Sequence, residues 1–530
     1  MKITASQNHT YLFIVILISG AILRFYHIDQ PLIDATSWRQ ASTAMMADNF
    51  YRGNWNIFYP EVSWDGPGPS YNGREFQTVT YISALLYVVF GQHDWIGRSL
   101  AVIFSLWGIF AFYQLVFRVW NKEYALASAA VLAILPGSIY YDRSFLPDPA
   151  MIALVTTSCW FLVAYLQTER WHYLLLASMI GTWGFLTKLP GLMVGIPMLY
   201  AIFTIFGLKG LMRPKKLIII GLSAITILII VITYYLWARY LSLTYPPYHF
   251  AGSGNWLWNN GLHQWWEQKY FLPKLYEFLK DWFWTKPFII LIVIGLFLPP
   301  PYGDSTPESE QQLRDKSSKA PWFFHWWIFA FIIYYLIGAQ ELVDNPSNLI
   351  IMNPAAAALA GNALMILVSF TKRIVGSPAS MALIAVILLN IGGMGYKDLY
   401  WMFYPSAKED YEMGIALRQI TQPSDLVVTI AKTIGDPVSN YYSHRRGWVF
   451  PPANTWSTLD WWEGIKDDTE AIQILEELQA KGAEWLGISG EQKQKIWKNN
   501  PKLAQYIDKN YKITKGKSEF VIYRMSNYIN

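Results

Sequence analysis

Long apolar runs broken by short polar turns fill the first 400 residues or so of this chain. A membrane-spanning helix needs roughly 20 mostly apolar residues. Such runs fall at 10–26, 96–118, 123–141, 148–167, 172–189, 190–208, 216–238, 322–339, 347–370 and 376–396. A shorter run at 287–300, which Trp282 to Trp284 can extend through the interface, brings the count to eleven. One more apolar stretch, Thr78 to Gly91, has only 14 residues. After about residue 397 the pattern changes. Charged helical stretches (Thr469 to Lys481, Glu491 to Asn499) alternate with β-like runs that start at Asp425, Glu484 and Glu519. The pattern predicts a polytopic α-helical membrane protein. Residues 1–398 form its transmembrane domain, with large loops at 27–95 and 239–286, and residues 399–530 form a small soluble α/β domain.

Composition supports the membrane reading. The 530 residues are 53% hydrophobic and 15% charged, against about a quarter charged in soluble domains. The 26 Trp and 34 Tyr suit a chain with many membrane–water interfaces. A net charge of +5 is spread thinly, and basic runs such as Arg213-Pro-Lys-Lys216 lie between apolar segments, so no nucleic-acid surface is expected. The one cysteine, Cys159, lies inside an apolar run, which excludes an intrachain disulfide and a cysteine metal site. No small-x-small cleavage site follows residues 11–23, which reads as an uncleaved first span.

Charge asymmetry gives the spans a direction. With 78–91 not crossing and the N-terminus cytoplasmic, the cytoplasmic connections carry twelve Lys and Arg residues, from Arg118 to Arg373. The short turns on the other side hold only Arg143 and Lys188. If 78–91 crossed, this positive-inside bias would reverse. Residues 78–91 are therefore predicted to be an interfacial or half-inserted helix. Loops 27–95 and 239–286 and the C-terminal domain then lie on the extracytoplasmic side of a bacterial inner or plasma membrane.

Three polar stretches fall on that side. The first, "LIDATSWRQ" (32–40), holds Asp34 and Arg39 and leads into Trp38–Phe50, whose spacing predicts an amphipathic helix on the membrane surface. The second is "YYDRSFLPDPAM" (141–152), and the third is "FLTKLPG" (185–191). A cation held where charge is expensive needs a partner. Arg143 can pair with Asp142 or Asp148 and Lys188 can snorkel, or both can meet an anion such as a lipid phosphate. Asp148, before Pro149, also reads as an N-terminal cap, Asp34 as a solvated turn, and Glu75 in "NGREFQ" as a cap of the interfacial helix. His249 and His263 lie in an aromatic loop without metal-ligand spacing. Phosphate-cradling nucleotide motifs are missing, and Ala251-Gly-Ser-Gly254 is too weak to count as one, so an enzyme here draws an activated substrate from the membrane. "YYSHRRGWVFPP" (441–452) reads either as a glycan or headgroup contact or as a domain-packing loop.

Taken together, the acidic loop after span one, "YYDRSFLPD" and "GFLTKLPG" resemble the GT-C glycosyltransferases. The family they resemble is family 39, which holds the protein O-mannosyltransferases and the bacterial lipid A aminoarabinose transferases. The resemblance covers the eleven spans and the C-terminal domain. It implies inverting transfer of a sugar from a polyprenyl-phosphate-sugar donor to a lipid, glycan or protein acceptor at the outer face. Asp34 matches the first acid of the family's Asp-Glu pair and is implied to be the base, while Ala35 stands where the Glu usually follows. Arg143, Lys188 and Arg39 are implied to hold the donor phosphate. Asp148 and Glu75 are implied to orient Arg143 or the sugar hydroxyls, and Asp142, Arg74 and His249 to line the substrate site. Arg74 and Glu75 stand in place of the family's lysine motif, and the His-x-Tyr-Tyr stretch before span ten has no counterpart in "QELVDNPSNLII". The implied chemistry requires no cofactor; the acidic positions admit a divalent metal, which is not favoured. Two other readings remain. One is a transporter of polyprenyl-linked sugars, although the nearly charge-free centres of spans three, four and six speak against it. The other is a non-catalytic assembly subunit, suggested by Ala35.

Overall fold

The computed structural model describes residues 5–211, 214–249, 256–257, 261–267, 269–301 and 320–525. Sequence features at Arg213, at 251–254 and over most of 299–319 lie outside those residues. Helices occupy all eleven predicted apolar runs. Among the described residues, seven helices are long and apolar enough to cross a membrane by length and composition, and the chain is an integral membrane protein. Helix α1 is Ala5–Phe25, α4 Asp94–Val119, α7 Asp148–Thr168 and α8 Trp171–Thr187. The third predicted span is two helices, α5 (Lys122–Ile134) and α6 (Pro136–Tyr141). Pro136 causes the break, since its ring cannot follow a helical carbonyl and instead suits a first helical position. The predicted extension of the 287–300 run through Trp282–Trp284 does not form. The helix is Lys286–Phe297, and Trp284 before it is extended (φ −132°, ψ 169°).

By internal packing the chain divides into two compact units. The membrane unit comprises Met1–Ile28, Arg98–Tyr234 and Gly254–Met402. The other comprises Asp29–Gly97, Tyr235–Ser253 and Phe403–Asn530, so by packing the segments 29–97 and 235–253 group with the C-terminal residues.

In the membrane unit, α8 lies directly against α7. A Cβ on Gly184 would come within 2.9 Å of Val155 Cγ1, so only glycine permits this approach. A buried ion pair ties α1 to the end of α6. The Arg24 guanidinium donates to Asp142 Oδ2 at 2.8 Å and 3.0 Å, and Ser105 Oγ donates to the same oxygen at 2.8 Å. Arg24 is fully buried. Removing one partner of a buried pair costs about 3–5 kcal/mol, because the other charge is left uncompensated. Arg24→Met should therefore sharply lower the thermal unfolding temperature of the purified protein. Arg24→Met/Asp142→Leu should recover most of the loss, and a double variant no more stable than the single would refute the pairing argument.

The second unit is built on a six-stranded sheet of order β1-β3-β2-β4-β6-β5. The strands are β1 Asp65–Gly66, β2 Leu426–Ile430, β3 Gly447–Val449, β4 Ala483–Ser489, β5 Lys512–Gly516 and β6 Phe520–Arg524. β2, β4 and β6 are the three predicted from sequence. β2 runs parallel to β3 and β4, and the remaining pairs are antiparallel. Side chains alternate across the sheet as a strand period of two requires. Val427, Trp485 and Ile522 pack under helix Lys408–Ile420. Val428, Leu486 and Tyr523 face Leu475, Ile496 and Leu503 of the helices on the other side. β1 comes from the long loop after α1 and pairs with β3, Asp65 opposite Trp448.

Helix α2 (Ser37–Arg52) corrects the expectation of an amphipathic surface helix. Eleven of its 16 residues are buried, among them Ala41, Ala44, Met45 and Met46. It packs against α3 (Thr78–Phe90) and helix Val438–Ser443. The "YYSHRRGWVFPP" stretch is a packing loop: Tyr441 and Tyr442 hydroxyls donate to the two Asp94 oxygens (2.8 and 2.6 Å), Arg446 donates to Glu61 (2.6 Å), and Gly447–Val449 are β3.

Candidate active site

Each unit carries one cluster of the predicted site residues. In the membrane unit the cluster forms where α6, α7 and α8 end or begin. Asp148 is the first residue of α7, but the N-cap is Pro147 and no side chain caps the helix, so the capping role predicted for Asp148 is not what it does. Its Oδ1 instead accepts a 2.7 Å hydrogen bond from Lys188 Nζ. The Asp148 side chain is 1% exposed and that of Lys188 12%. A carboxylate in the first turn of a helix also gains from the helix dipole. Lys188 follows Thr187 in extended conformation (φ −164°, ψ 132°) between α8 and the 3-10 turn Leu189–Val194, which directs its side chain off the helix.

Arg143 is fully buried, and its Nη2 donates to the His27 carbonyl at 2.9 Å. The Asp142 carboxylate is engaged by Arg24 and Ser105, which donate to its Oδ2. Two tyrosines join this cluster without having stood out in the sequence. Tyr141 and Tyr334 both lie within reach of the Asp148 charge. Among the described residues, neither buried hydroxyl has a hydrogen-bond partner. A buried hydroxyl left unsatisfied costs about 1–3 kcal/mol, so a pair of them beside a lysine–carboxylate contact calls for a polar guest. Sequence offered one weak cue to Tyr141, its place in "YYDRSF", and none to Tyr334 in an apolar span.

The other unit holds the second cluster. Asp34 is fully buried in the turn before α2; Gln40 Nε2 donates to its Oδ1 at 2.6 Å and Ser37 N to its backbone oxygen at 2.8 Å. The turn is fixed from both sides, since Tyr442 Oη accepts from Leu32 N at 2.6 Å and Ile33 O from Ala407 N at 3.0 Å. Asp34 is therefore held rigidly and is not a solvated turn residue, whereas Ala35 beside it is exposed. Arg39 forms an ion pair with Glu75. Glu75 does not cap α3, whose N-cap is Gln77. Arg74, Arg39 and Glu75 all act on His249. Burial first, and then the two arginines, push the His249 imidazole down to about 3, against the opposing pull of Glu75, so it is neutral at physiological pH. Asn72, two residues before Arg74, is fully buried, and among the described residues neither polar atom of its side chain finds a partner. Its presence in "NGREFQ" was visible in the sequence; its burial was not.

His263 is largely exposed and lies 3.9 Å from Glu267. Among the described residues no three His, Cys, Asp or Glu side chains gather in a way that could hold a metal ion.

Residues 78–237 match the family described as dolichyl-phosphate-mannose-protein mannosyltransferase. The matched segment contains Arg143, Asp148 and Lys188 and stops short of Asp34, Glu75 and His249. No curated protein matches the chain by sequence. Among solved structures, ArnT from Cupriavidus metallidurans in the apo state is similar over 99% of each chain, at 12% identity and a TM-score of 0.61. The same protein bound to undecaprenyl phosphate is similar over 98% of this chain and 99% of its own, at 13% identity and a TM-score of 0.61. The oligosaccharyltransferase of Archaeoglobus fulgidus, solved with Zn and sulfate, is similar over 97% of this chain and 73% of its own, at 11% identity and a TM-score of 0.58. The fold is that of these GT-C proteins.

Proposed function

We propose that this chain, a membrane glycosyltransferase of the GT-C class, transfers a sugar from a polyprenyl-phosphate-sugar donor to an acceptor at the outer face of the membrane, by one inverting displacement. The observation that carries the reading is the cluster of Lys188, Asp148 and Arg143 with the hydroxyls of Tyr141 and Tyr334, which find no hydrogen-bond partner among the described residues. It lies at helix ends of the membrane unit and inside the segment that matches the mannosyltransferase family. That ArnT was solved with undecaprenyl phosphate bound supports a lipid phosphate as the donor's carrier.

In this reading Lys188 and Arg143 take up the negative charge that grows on the departing phosphate, placed before the reaction so that nothing need reorganise. The Tyr141 and Tyr334 hydroxyls donate to phosphate or sugar oxygens. Asp148 fixes the Lys188 ammonium in place and limits its reach. Asp34 removes the proton from the acceptor hydroxyl, and Gln40 holds its carboxylate in one orientation. Arg39, Arg74, Glu75 and His249 form a polar patch for acceptor groups; His249 serves there as a neutral donor or acceptor. Two cations already supply the charge stabilisation, so the proposal needs no metal.

Purified protein in proteoliposomes should transfer label from a polyprenyl-phosphate sugar at a rate that chelation leaves unchanged, and should not use the corresponding nucleotide sugar. Direct use of the nucleotide sugar would overturn the donor assignment. Movement of the intact lipid-linked sugar between leaflets, without transfer, would favour a transporter.

A further inference from the structure

A second charged site lies in the membrane unit, and neither Lys188 nor Asp148 lines it. A cavity of about 690 Å³ opens between the turn Leu279–Phe283, helix Lys286–Phe297 and helix Ser377–Phe403. Five of its lining residues are charged: Lys280, Asp281, Lys286, Lys397 and Asp398. Its remaining wall is largely apolar, with Val386, Leu389 and Met394, which are 55%, 74% and 48% exposed. Asp281 lies 3.1 Å from Lys280. Among the described residues, Lys286 and Lys397 have no carboxylate at ion-pair distance, although Lys397 acts on Asp398 at longer range.

We propose that this groove binds one anionic membrane phospholipid. Three ammonium groups against two carboxylates leave one positive charge, which a single phosphodiester neutralises. The groove is amphipathic along its length: charged side chains gather where helix Lys286–Phe297 begins, and the exposed Val386 and Leu389 lie about two to three helical turns back along helix Ser377–Phe403. That order matches a headgroup followed by acyl chains, and basic pockets between membrane helices are a known form of headgroup site. Lysines that merely snorkel lead their charges apart into water; here three converge on one cavity with two acids.

The groove also bears on the rest of the unit. Phe283 in the turn stacks on Tyr141 (ring centroids 5.2 Å apart, planes at 10°), and a Cβ on Gly395 would come within 2.4 Å of Pro136. Both contacts hold α6, whose C-terminal end leads into Asp142 and Arg143. A lipid seated here braces helix Ser377–Phe403 and the turn against α6. The inference stands apart from the sugar-transfer proposal, and its test does not read activity.

The full chain, purified in detergent micelles doped with phosphatidylglycerol, is analysed by native mass spectrometry for retained lipid. Wild type should keep one phosphatidylglycerol and should not keep neutral diacylglycerol. The triple variant Lys280→Gln/Lys286→Gln/Lys397→Gln should lose retention by on the order of 100-fold, from roughly fivefold per lysine. Gly393→Trp serves as the second variant. Gly393 lines the groove and nothing lies within 4 Å of a Cβ there, so the new side chain starts in open space; it should displace the lipid without lowering the unfolding temperature in lipid-free detergent. Unchanged retention in both variants, equal retention of the neutral lipid, or recovery of polyprenyl phosphate instead of phospholipid would each overturn the proposal.

Discussion

Asp34→Asn should lower sugar transfer by about 100- to 10,000-fold, the range a positioned general base contributes, and should leave the unfolding temperature close to that of wild type. The expectation of an intact fold follows from the contacts. Asp34 is fully buried, and Gln40 Nε2 donates to its Oδ1 at 2.6 Å. An asparagine offers the same Oδ1 to that donor and has nearly the same volume. The backbone bonds from Ser37 and Ala407 that hold the turn involve main-chain oxygens, which the substitution does not touch. What it removes is basicity. Transfer rates with a polyprenyl-phosphate sugar in proteoliposomes, beside a thermal unfolding curve, separate the two effects. A variant that folds and transfers at the wild-type rate would end the assignment of Asp34 as base. A variant that loses activity only because it unfolds would show that the carboxylate is structural.

The parts of this fold that were legible in sequence are those with a repeating pattern. Apolar runs near 20 residues marked the membrane helices, and short β-like runs marked β2, β4 and β6, each five to seven residues long. The other strands carried no such signal. β1 has two residues and β3 three, too few to show a period of two, and β5 is an edge strand with the mostly exposed sequence KITKG. β1 also pairs with β3 across nearly 400 residues of chain, Gly66 opposite Gly447, a register that no local pattern encodes. Helix α2 misled for a different reason. Its buried positions are mostly Ala, Ser, Thr and Met, small or weakly apolar residues that read as a surface helix and turn out to allow close packing on several sides.

The candidate site was legible as residue types and not as pairings. Arg143, Lys188, Asp148 and Asp34 stood out because charge at a membrane boundary is expensive. Which of them would meet was hidden, because the partners are far apart in sequence. Asp142 sits beside Arg143 in the chain yet is engaged by Arg24, 118 residues earlier, and Lys188 reaches back 40 residues to Asp148. Arg39, read as a phosphate ligand, pairs with Glu75. Tyr334 could not be found at all, because one hydroxyl in an aromatic-rich span looks like any other interfacial tyrosine.

Lys188 admits two explanations, and a pair of substitutions separates them. Lys188→Gln should lower the transfer rate by about 100-fold or more, the usual effect of removing one group that stabilises developing charge, and should raise the KM for the donor more than that for the acceptor. The single variant alone is ambiguous. It also strips Asp148 of its cation, and a side chain 1% exposed pays heavily for an uncompensated charge. The double variant Lys188→Gln/Asp148→Asn removes that penalty, because neither side chain is then charged. If Lys188 exists only to neutralise Asp148, the double variant regains both stability and transfer. If its ammonium meets the donor phosphate, the double variant regains stability while transfer and donor KM stay as poor as in Lys188→Gln, so stability and rate part company. Recovery of transfer in the double variant would remove Lys188 from the donor site and leave Arg143 as its one candidate cation.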